Sequence, residues 1–101
     1  MPRRGAADLP DYRIFETDEF RRKLEKLSVG DRETVGSKLN DYAFPSLREQ
    51  PHFGVNIRKL RGYLPETWRY RIGRFRVFYS IDEEERTVYV LTIEARKNAY
   101  R

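Results

Sequence analysis

The sequence predicts an α+β domain in which a pair of helices packs on one face of an antiparallel sheet. Three observations carry this prediction. Residues 68–82 alternate apolar and polar side chains about a central glycine, two earlier segments repeat apolar residues at helical spacing, and residues 87–95 form a β-branched stretch near the C-terminus. With 101 residues, the chain is long enough to bury one core without disulfides or metal.

Composition limits the function classes. The chain has no cysteine, which excludes thiol catalysis, thiolate metal sites and a disulfide framework. No apolar run approaches the roughly 18 residues of a membrane span, and residues 1–10 lack the apolar core of a signal peptide. We therefore expect a cytoplasmic protein that has no contact with membranes and needs no metal or small-molecule cofactor.

The N-terminal part is predicted to contain a loose leader, an edge strand and a first helix. Residues 1–10, with two prolines and a glycine, indicate the leader, and residues 12–15 indicate a short strand with Tyr12 and Ile14 on one face. Thr17 or Asp18 would cap a helix over 18–27. Its apolar side chains recur at helical spacing: Phe20, Leu24 and Leu27.

A second helix is predicted from Asp31 as its cap to about Phe44, with Pro45 as the stop. Its apolar stripe would be Val35, Leu39 and Tyr42. The loop that follows holds the only histidine, His52, between a proline and a glycine, a setting typical of plain surface. Residues 56–62 either begin the sheet or lie beside it.

The stretch 68–82 predicts a β-hairpin turning at Gly73-Arg74, with Ile72 opposite Phe75 and Arg71 opposite Arg76. One face would be apolar: Trp68, Tyr70, Ile72, Phe75, Val77, Tyr79 and Ile81. The other face would carry Arg69, Arg71, Arg76, Phe78 and Ser80. Like charges facing each other at about 5 Å cost on the order of 1 to 3 kcal/mol per pair, so this cluster favours an anion site.

After the hairpin, the acidic residues 82–86 indicate an exposed, solubilising turn before the last strand, 87–95. In that strand we expect Tyr89, Leu91 and Ile93 to face the core. Strict alternation then places the intervening side chains beside the arginines: Val88, Val90, Thr92, Glu94 and Arg96.

The positive charge is concentrated in the second half of the chain. The net charge is +5, and residues 1–50 contribute none of it. Between residues 58 and 81 there are seven basic side chains and one acid, Glu66. Such a block indicates a polyanionic partner, with nucleic acid the first choice and an acidic protein the second.

The predicted catalytic set is Arg69, Arg71, Arg76, Arg96 and Tyr100, and the predicted RNA contacts are Arg58, Lys59, Arg61, Arg74, Phe78 and Lys97. Arginine binds phosphate oxygens bidentately and stabilises transition-state charge, but its pKa above about 12 makes it a poor proton carrier. Tyr100 or Glu94 would carry protons, and Phe78 would stack a base. The chain has no Cys-His dyad and no glycine-rich phosphate loop. RNA cleavage would then proceed without metal, by attack of the 2′-hydroxyl.

The run KLRGYLPETWRYRIGRFRVFYSIDEEERTVYVLTIEARKNAYR resembles the C-terminal half of the RelE/ParE superfamily of bacterial and archaeal toxins. WRYRIG and the Arg96…Tyr100 ending are more similar to the RelE branch than to the ParE branch. The resemblance spans residues 11–101 as one domain. It implies a compact β-α-α-β-β-β fold, with the helices on one side of the sheet. It also implies an mRNA endonuclease that acts in the ribosomal A site and is held inactive by a cognate antitoxin.

Residue by residue, the resemblance places the family's functional positions on Arg69, Arg71, Arg76, Arg96 and Tyr100. Arg69 and Arg71 stand where well-studied relatives have lysines, and Ala95 stands where a histidine is common. Two alternatives remain open at this point. One is a ParE-like gyrase inhibitor, and the other is an RNA-binding module without activity.

Overall fold

The structure, a computed structural model, describes residues 11–96, so the predicted leader, Lys97 and Tyr100 lie outside the described residues. The strands are β1 (Arg13–Glu16), β2 (Ile57–Lys59), β3 (Trp68–Ile72), β4 (Phe75–Asp82) and β5 (Thr87–Ala95). The helices are α1 (Asp18–Glu25), α2 (Val29–Lys38) and α3 (Phe44–Glu49), and a π-helical turn, Leu39–Ala43, joins the last two. None of these helices is long and apolar enough to cross a membrane. The predicted α+β class is confirmed.

The five strands form one sheet in the order β1-β5-β4-β3-β2. All neighbouring pairs are antiparallel except that β1 runs parallel to β5. The prediction of an antiparallel sheet therefore holds for four of the five strands described. The segment 56–62 does contribute to the sheet, because Ile57–Lys59 forms an edge strand paired with β3.

The β3–β4 hairpin has the predicted register: Ile72 lies opposite Phe75, Arg71 opposite Arg76 and Trp68 opposite Tyr79. Gly73 has a φ of +58°, whereas the φ of Arg74 is not positive. This is the combination that a type II′ turn requires at its two central positions. The predicted apolar face is confirmed, with Val77 and Tyr79 fully buried. The arginines therefore lie on the face turned away from the core.

The β4–β5 pair contains a bulge that overturns the predicted faces of the last strand. Thr92 pairs with Phe78 and Val90 pairs with Tyr79, so Leu91 is an extra residue on β5. One extra residue reverses the alternation on the N-terminal side of it. Val88 and Val90 are consequently in the core at 0% exposure. The predictions for Val88, Val90, Tyr89 and Leu91 were wrong.

C-terminal to the bulge, the alternation holds as predicted. Ile93 is in the core at 3% exposure, and Thr92 and Glu94 lie on the arginine side of the sheet, opposite Phe78 and Arg76. The bulge thus lets one strand supply valines to the core and polar residues to the opposite face.

The helical region confirms the first cap and corrects the second helix. Thr17 accepts a hydrogen bond from the backbone N–H of Phe20, as a capping residue does. The second helix begins after Ser28, whose hydroxyl accepts from Asp31 N–H, so Asp31 is not the cap. Pro45 does not end the helix either, because it lies in the first turn of α3, where no helical N–H is needed.

The π-helical turn also moves the apolar stripe. A π turn holds one residue more than an α turn and so rotates the helix that follows. Tyr42, predicted to be buried, is 66% exposed. Its place in the core is taken by Ala43, Phe44 and Leu47, which pack with Phe20, Val35 and Leu39 over the apolar face of the sheet.

Candidate nucleic-acid interface

Three neighbouring strands carry the predicted arginines on the outer face of the sheet. Register places Arg58 of β2 beside Arg69 of β3, and Arg69 beside Phe78 of β4. One row further along, Arg71 lies opposite Arg76, which lies opposite Glu94. We call Arg58, Arg69, Arg71, Arg76 and Phe78 the arginine face. Its four cations come from three neighbouring strands. Residues paired across strands share a face, and so do side chains two residues apart on one strand.

Two arginines of this face each have a buried Nε atom that lacks a hydrogen-bond partner within the described part of the chain. The Nε atoms of Arg69 and Arg76 are buried, and neither has a hydrogen-bond partner among residues 11–96. Desolvation lowers the pKa of Arg69, and the charges of Arg58, Arg76 and Arg71 lower it further. A buried donor without an acceptor is unfavourable, and charge repulsion adds to the penalty. An incoming phosphate would relieve both.

The acid nearest to these arginines is directed elsewhere. Glu94 pairs with Arg76 in the sheet register, but its carboxylate ion-pairs with Lys23 of α1 at 3.6 Å. Lys23 also lies 3.4 Å from Glu19, one helical turn earlier. Within the described residues, no ion pair joins a carboxylate to Arg58, Arg69, Arg71 or Arg76. No carboxylate in the described part of the chain therefore compensates the positive charge of this face.

Two predicted RNA contacts lie away from the arginine face. Lys59 pairs with Trp68 in register, on the opposite side of the sheet, and its ammonium ion-pairs with Glu66 at 3.0 Å. It also lies over the ring of Trp68 at 5.6 Å. Arg74, in the hairpin turn, ion-pairs with Asp31 at 2.6 Å. Both cations already have acidic partners.

The remaining predicted residues lie near the ends of strands. Arg61 is exposed just beyond β2, in the loop leading to β3. Arg96 is exposed, one residue beyond β5, and its backbone N–H donates a 2.6 Å hydrogen bond to the carbonyl of Arg74. That bond continues the β4–β5 pairing and holds Arg96 at the end of the hairpin. Lys97 and Tyr100 lie outside the described residues.

A polar network that the sequence did not indicate lies at the opposite end of β4. Glu83 accepts a 2.7 Å hydrogen bond from the hydroxyl of Tyr12, and its other oxygen lies 2.6 Å from Nε2 of His52. The other ring nitrogen of His52 lies 2.8 Å from Oε1 of Gln50. Glu83 is thus a structural residue, although the acidic turn was predicted to be merely solubilising. No sequence spacing signals the network, because its members are 31 and 71 positions apart.

The chemistry of the arginine face is that of an anion receptor. Arginine forks can hold a phosphodiester bidentately and stabilise additional charge on it, while remaining protonated at every physiological pH. Among residues 11–96, no three His, Cys, Asp or Glu side chains converge on a common point as metal ligands would. The face can therefore bind and polarise a phosphate, and proton transfer needs a residue of another type.

Comparison with known proteins gives a consistent family. Residues 14–100 match the family model described as the ParE toxin of the parDE type II toxin-antitoxin system. The chain is 32% identical over 91 residues to Toxin RelG of Mycobacterium tuberculosis, covering 89% of this chain and 97% of that protein.

Solved structures agree. The RelBE2 toxin-antitoxin complex of Mycobacterium tuberculosis matches with a TM-score of 0.68 and 30% identity, covering 88% of this chain and 95% of that one. The archaeal RelE-RelB complex of Pyrococcus horikoshii matches with a TM-score of 0.67 and 21% identity, covering 88% and 99% of the two chains. The isolated E. coli RelE toxin matches with a TM-score of 0.65 and 23% identity, covering 88% of each chain. The last two likenesses concern the fold alone.

Proposed function

The chain belongs to the RelE/ParE superfamily of toxins of type II toxin-antitoxin systems, and from that premise we propose that it is a cytoplasmic endoribonuclease that cleaves mRNA in the ribosomal A site. The observation that carries the proposal is the pair of buried Nε atoms of Arg69 and Arg76, which have no hydrogen-bond partner among residues 11–96. A surface that serves only stability would pair or expose such groups. A surface that receives a phosphodiester leaves them available.

The proposed reaction uses the RNA itself as nucleophile. The 2′-hydroxyl oxygen attacks the adjacent phosphorus, the bond from phosphorus to the 5′-oxygen breaks, and the products carry a 2′,3′-cyclic phosphate and a 5′-hydroxyl. Arg69, Arg71 and Arg76 would bind the non-bridging oxygens and stabilise the extra charge of the pentacovalent transition state. Arg96, held beside Arg74, would add a further cation at the end of the face.

Two protons move in this reaction, and arginine is a poor carrier for either. One leaves the 2′-hydroxyl and one is gained by the 5′-oxygen. Tyr100 is the first candidate, because a phenol can both donate and accept a proton and the sequence has it four residues after Arg96. Glu94 lies across from Arg76 in register, but its carboxylate ion-pairs with Lys23, so we assign it no proton transfer. The reaction as proposed needs no metal, because guanidinium groups supply the positive charge that a metal ion would otherwise provide.

The proposed partner that controls the toxin is a cognate antitoxin. Several of the matching structures are complexes of a RelE protein with RelB or a RelB peptide, and another is a RelBE2 complex. An antitoxin segment carrying Asp or Glu would complement the arginine face of this chain and exclude RNA from it. The same contacts with the antitoxin would then inhibit the toxin and relieve the repulsion between its arginines.

The second candidate is a ParE-like gyrase inhibitor, which the description of the matching family model favours. Two observations favour cleavage of RNA instead: no described carboxylate pairs with the cations of the arginine face, and the chain is 32% identical to Toxin RelG over 97% of that protein. A gyrase inhibitor needs no phosphate-binding site on its sheet.

Induction of the toxin in growing cells tests the two candidates together. Primer extension on abundant transcripts should reveal cuts within translated codons, without induction of the DNA damage response. Arg76→Ala and Arg96→Ala should abolish the cuts and relieve growth arrest, whereas Arg21→Ala, an exposed arginine on α1, should behave as the parent protein does. A DNA damage response without cuts would establish the gyrase inhibitor, and full toxicity of both variants would show that the arginine face is the wrong site.

A further inference from the structure

We propose that a cavity beside the arginine face binds one nucleobase of the RNA and selects bases that carry an exocyclic amino group. This inference rests on the proposed function, because it assumes that RNA lies along the sheet. The cavity has a volume of about 290 Å³. Its lining consists of Tyr63, Thr67, Phe78, Leu91, Thr92 and Glu94.

The size and lining of the cavity suit a flat, partly apolar ligand. Small-molecule sites usually measure roughly 300 to 1,000 Å³, so this cavity, just below that range, suits a ligand as small as a single base. Two aromatic rings line it: Phe78 is half-buried in β4, whereas Tyr63 is 55% exposed in the loop between β2 and β3. An exposed tyrosine on a loop and a fixed phenylalanine in a sheet can enclose a base from two sides.

The position of the cavity relative to the phosphate site supports a nucleotide rather than an unrelated small molecule. Phe78 lies opposite Arg69 on one side and Thr92 on the other, and the next outward-facing residue of β4 towards the turn is Arg76. The aromatic floor of the cavity and the two buried Nε atoms that lack a partner among the described residues therefore lie on adjacent strands. A nucleotide whose phosphate meets Arg69 and Arg76 would have its base within reach of Phe78.

The bulge in β5 helps to form this cavity. Because Leu91 is the extra residue, it leaves the core and lines the outer face together with Thr92. An uninterrupted strand would alternate the two side chains to opposite faces. The β5 bulge, which overturned the predicted core residues of that strand, thus also supplies one wall of the base site.

Selectivity follows from the one carboxylate in the lining. Glu94 offers only hydrogen-bond acceptors, which match the amino groups of cytosine, adenine and guanine. Uracil has no amino group, and its single donor, N3–H, lies between two carbonyl oxygens that would repel the carboxylate. Lys23 lies 3.6 Å from one oxygen of Glu94, and the other oxygen can accept a hydrogen bond from a base. The site should therefore disfavour uracil at one fixed position relative to the cut.

Mapping cut positions across the transcripts of cells that express the toxin tests the site. The parent protein should cut with uracil depleted at one position. Glu94→Gln should raise the frequency of uracil there about tenfold, because an amide can also donate a hydrogen bond. Lys23→Gln removes the same ion pair but keeps the carboxylate, so its base preference should match the parent's. This comparison separates the carboxylate from the salt bridge.

The aromatic wall has its own variants. Tyr63→Ala should lower the cutting rate about tenfold through lost stacking, while Tyr63→Phe should keep it. Phe53→Ala, at a ring that is 74% exposed and outside the cavity, should have no effect. Cuts with an unchanged base profile in Glu94→Gln would overturn the base site and leave the nuclease proposal standing. Absence of cuts by the parent protein would overturn both.

Discussion

Tyr12 donates a hydrogen bond of 2.7 Å to Glu83, a residue 71 positions further along the chain. The second oxygen of Glu83 meets His52 at 2.6 Å. These contacts tie together the start of β1, the loop before β2 and the turn between β4 and β5. Arg86, which has a positive φ of 48°, places its guanidinium 4.1 Å from the centre of the Tyr12 ring and closes the same corner. The corner therefore depends on one exposed carboxylate.

Stability should depend on the charge of Glu83. The Tyr12 hydroxyl, followed by His52, lowers the pKa of Glu83 through hydrogen bonds. A lowered pKa in the folded state stabilises the fold above the unfolded value of about 4.3, and this contribution is lost as the pH falls through the folded pKa. Because the side chain is 59% exposed, we expect Glu83→Gln to lower the free energy of unfolding at pH 7 by only about 1 kcal/mol.

Urea unfolding at pH 7 and pH 3 measures this effect. The difference between the parent protein and Glu83→Gln should be present at pH 7 and smaller at pH 3, because protonation of Glu83 removes the charge that its partners stabilise. Glu84→Gln, at the exposed neighbouring position, is the matched control and should change little at either pH. An equal loss for both variants at pH 7 would mean that the network contributes nothing specific.

A buried hydroxyl gives a second prediction. Tyr79 is fully buried, and its hydroxyl donates a 2.7 Å hydrogen bond to the carbonyl of Pro51. Burial raises the pKa of this phenol, so it stays neutral and remains a donor. Tyr79→Phe should lower the free energy of unfolding by about 1 to 2 kcal/mol, because the Pro51 carbonyl loses its partner. Tyr63→Phe, at an exposed ring, should leave stability unchanged in the same denaturation experiment.

The bulge in β5 gives a third prediction. Val90 is completely buried and Leu91 is only half-buried. Val90→Ala should therefore lower the free energy of unfolding by about 2 kcal/mol, through lost burial and the cavity left behind. Leu91→Ala removes a larger side chain but should cost under about 1 kcal/mol. The opposite order would mean that the strand pairs without the bulge, as the sequence alone predicts.

That contrast shows what the sequence could and could not reveal. The β3–β4 hairpin was predictable to the residue, because a two-residue turn at Gly73 sets the register and local alternation then assigns both faces. The faces of β5 were not, because the bulge depends on how β5 fits β4 and leaves no mark on the spacing of its apolar residues. The role of Pro45 was mispredicted for a similar reason. A π turn precedes it, so the proline lies in the first turn of a new helix and does not end the previous one.

In the candidate site, too, some features follow from the local sequence pattern and others only from the folded structure. The shared face of Arg69, Arg71 and Arg76 was predictable because these residues lie on the hairpin, whose register the turn sets. The ion pairs that occupy Lys59 and Arg74 were not foreseen, because their acidic partners Glu66 and Asp31 are fixed by tertiary packing. Local pattern therefore predicts which side chains share a strand face, whereas the availability of each charge depends on the folded structure.

RNA binding should depend on salt in proportion to the number of phosphate contacts. If all four cations of the arginine face bind phosphate, the slope of log K against log salt for single-stranded RNA should be about −3. Arg76→Ala should reduce the magnitude of the slope by about 0.7, whereas Lys59→Ala should not, because Lys59 lies on the other face. Fluorescence anisotropy with a labelled RNA oligonucleotide over a series of salt concentrations measures both. Equal changes for the two variants would indicate that the protein attracts RNA only through its net charge.

Replacing Arg69 should separate stability from function. Folding lowers the pKa of Arg69, so at neutral pH the charged guanidinium is less favourable in the folded chain than in the unfolded one. Arg69→Met keeps the apolar stem and removes the charge, and should raise the free energy of unfolding by about 1 kcal/mol. Cutting should fall about a hundredfold or more, because a donor to the transition state is lost. Arg21→Met, at an exposed helical position, should change neither quantity. A less stable but active Arg69→Met variant would show that Arg69 is a structural residue and not part of a phosphate site.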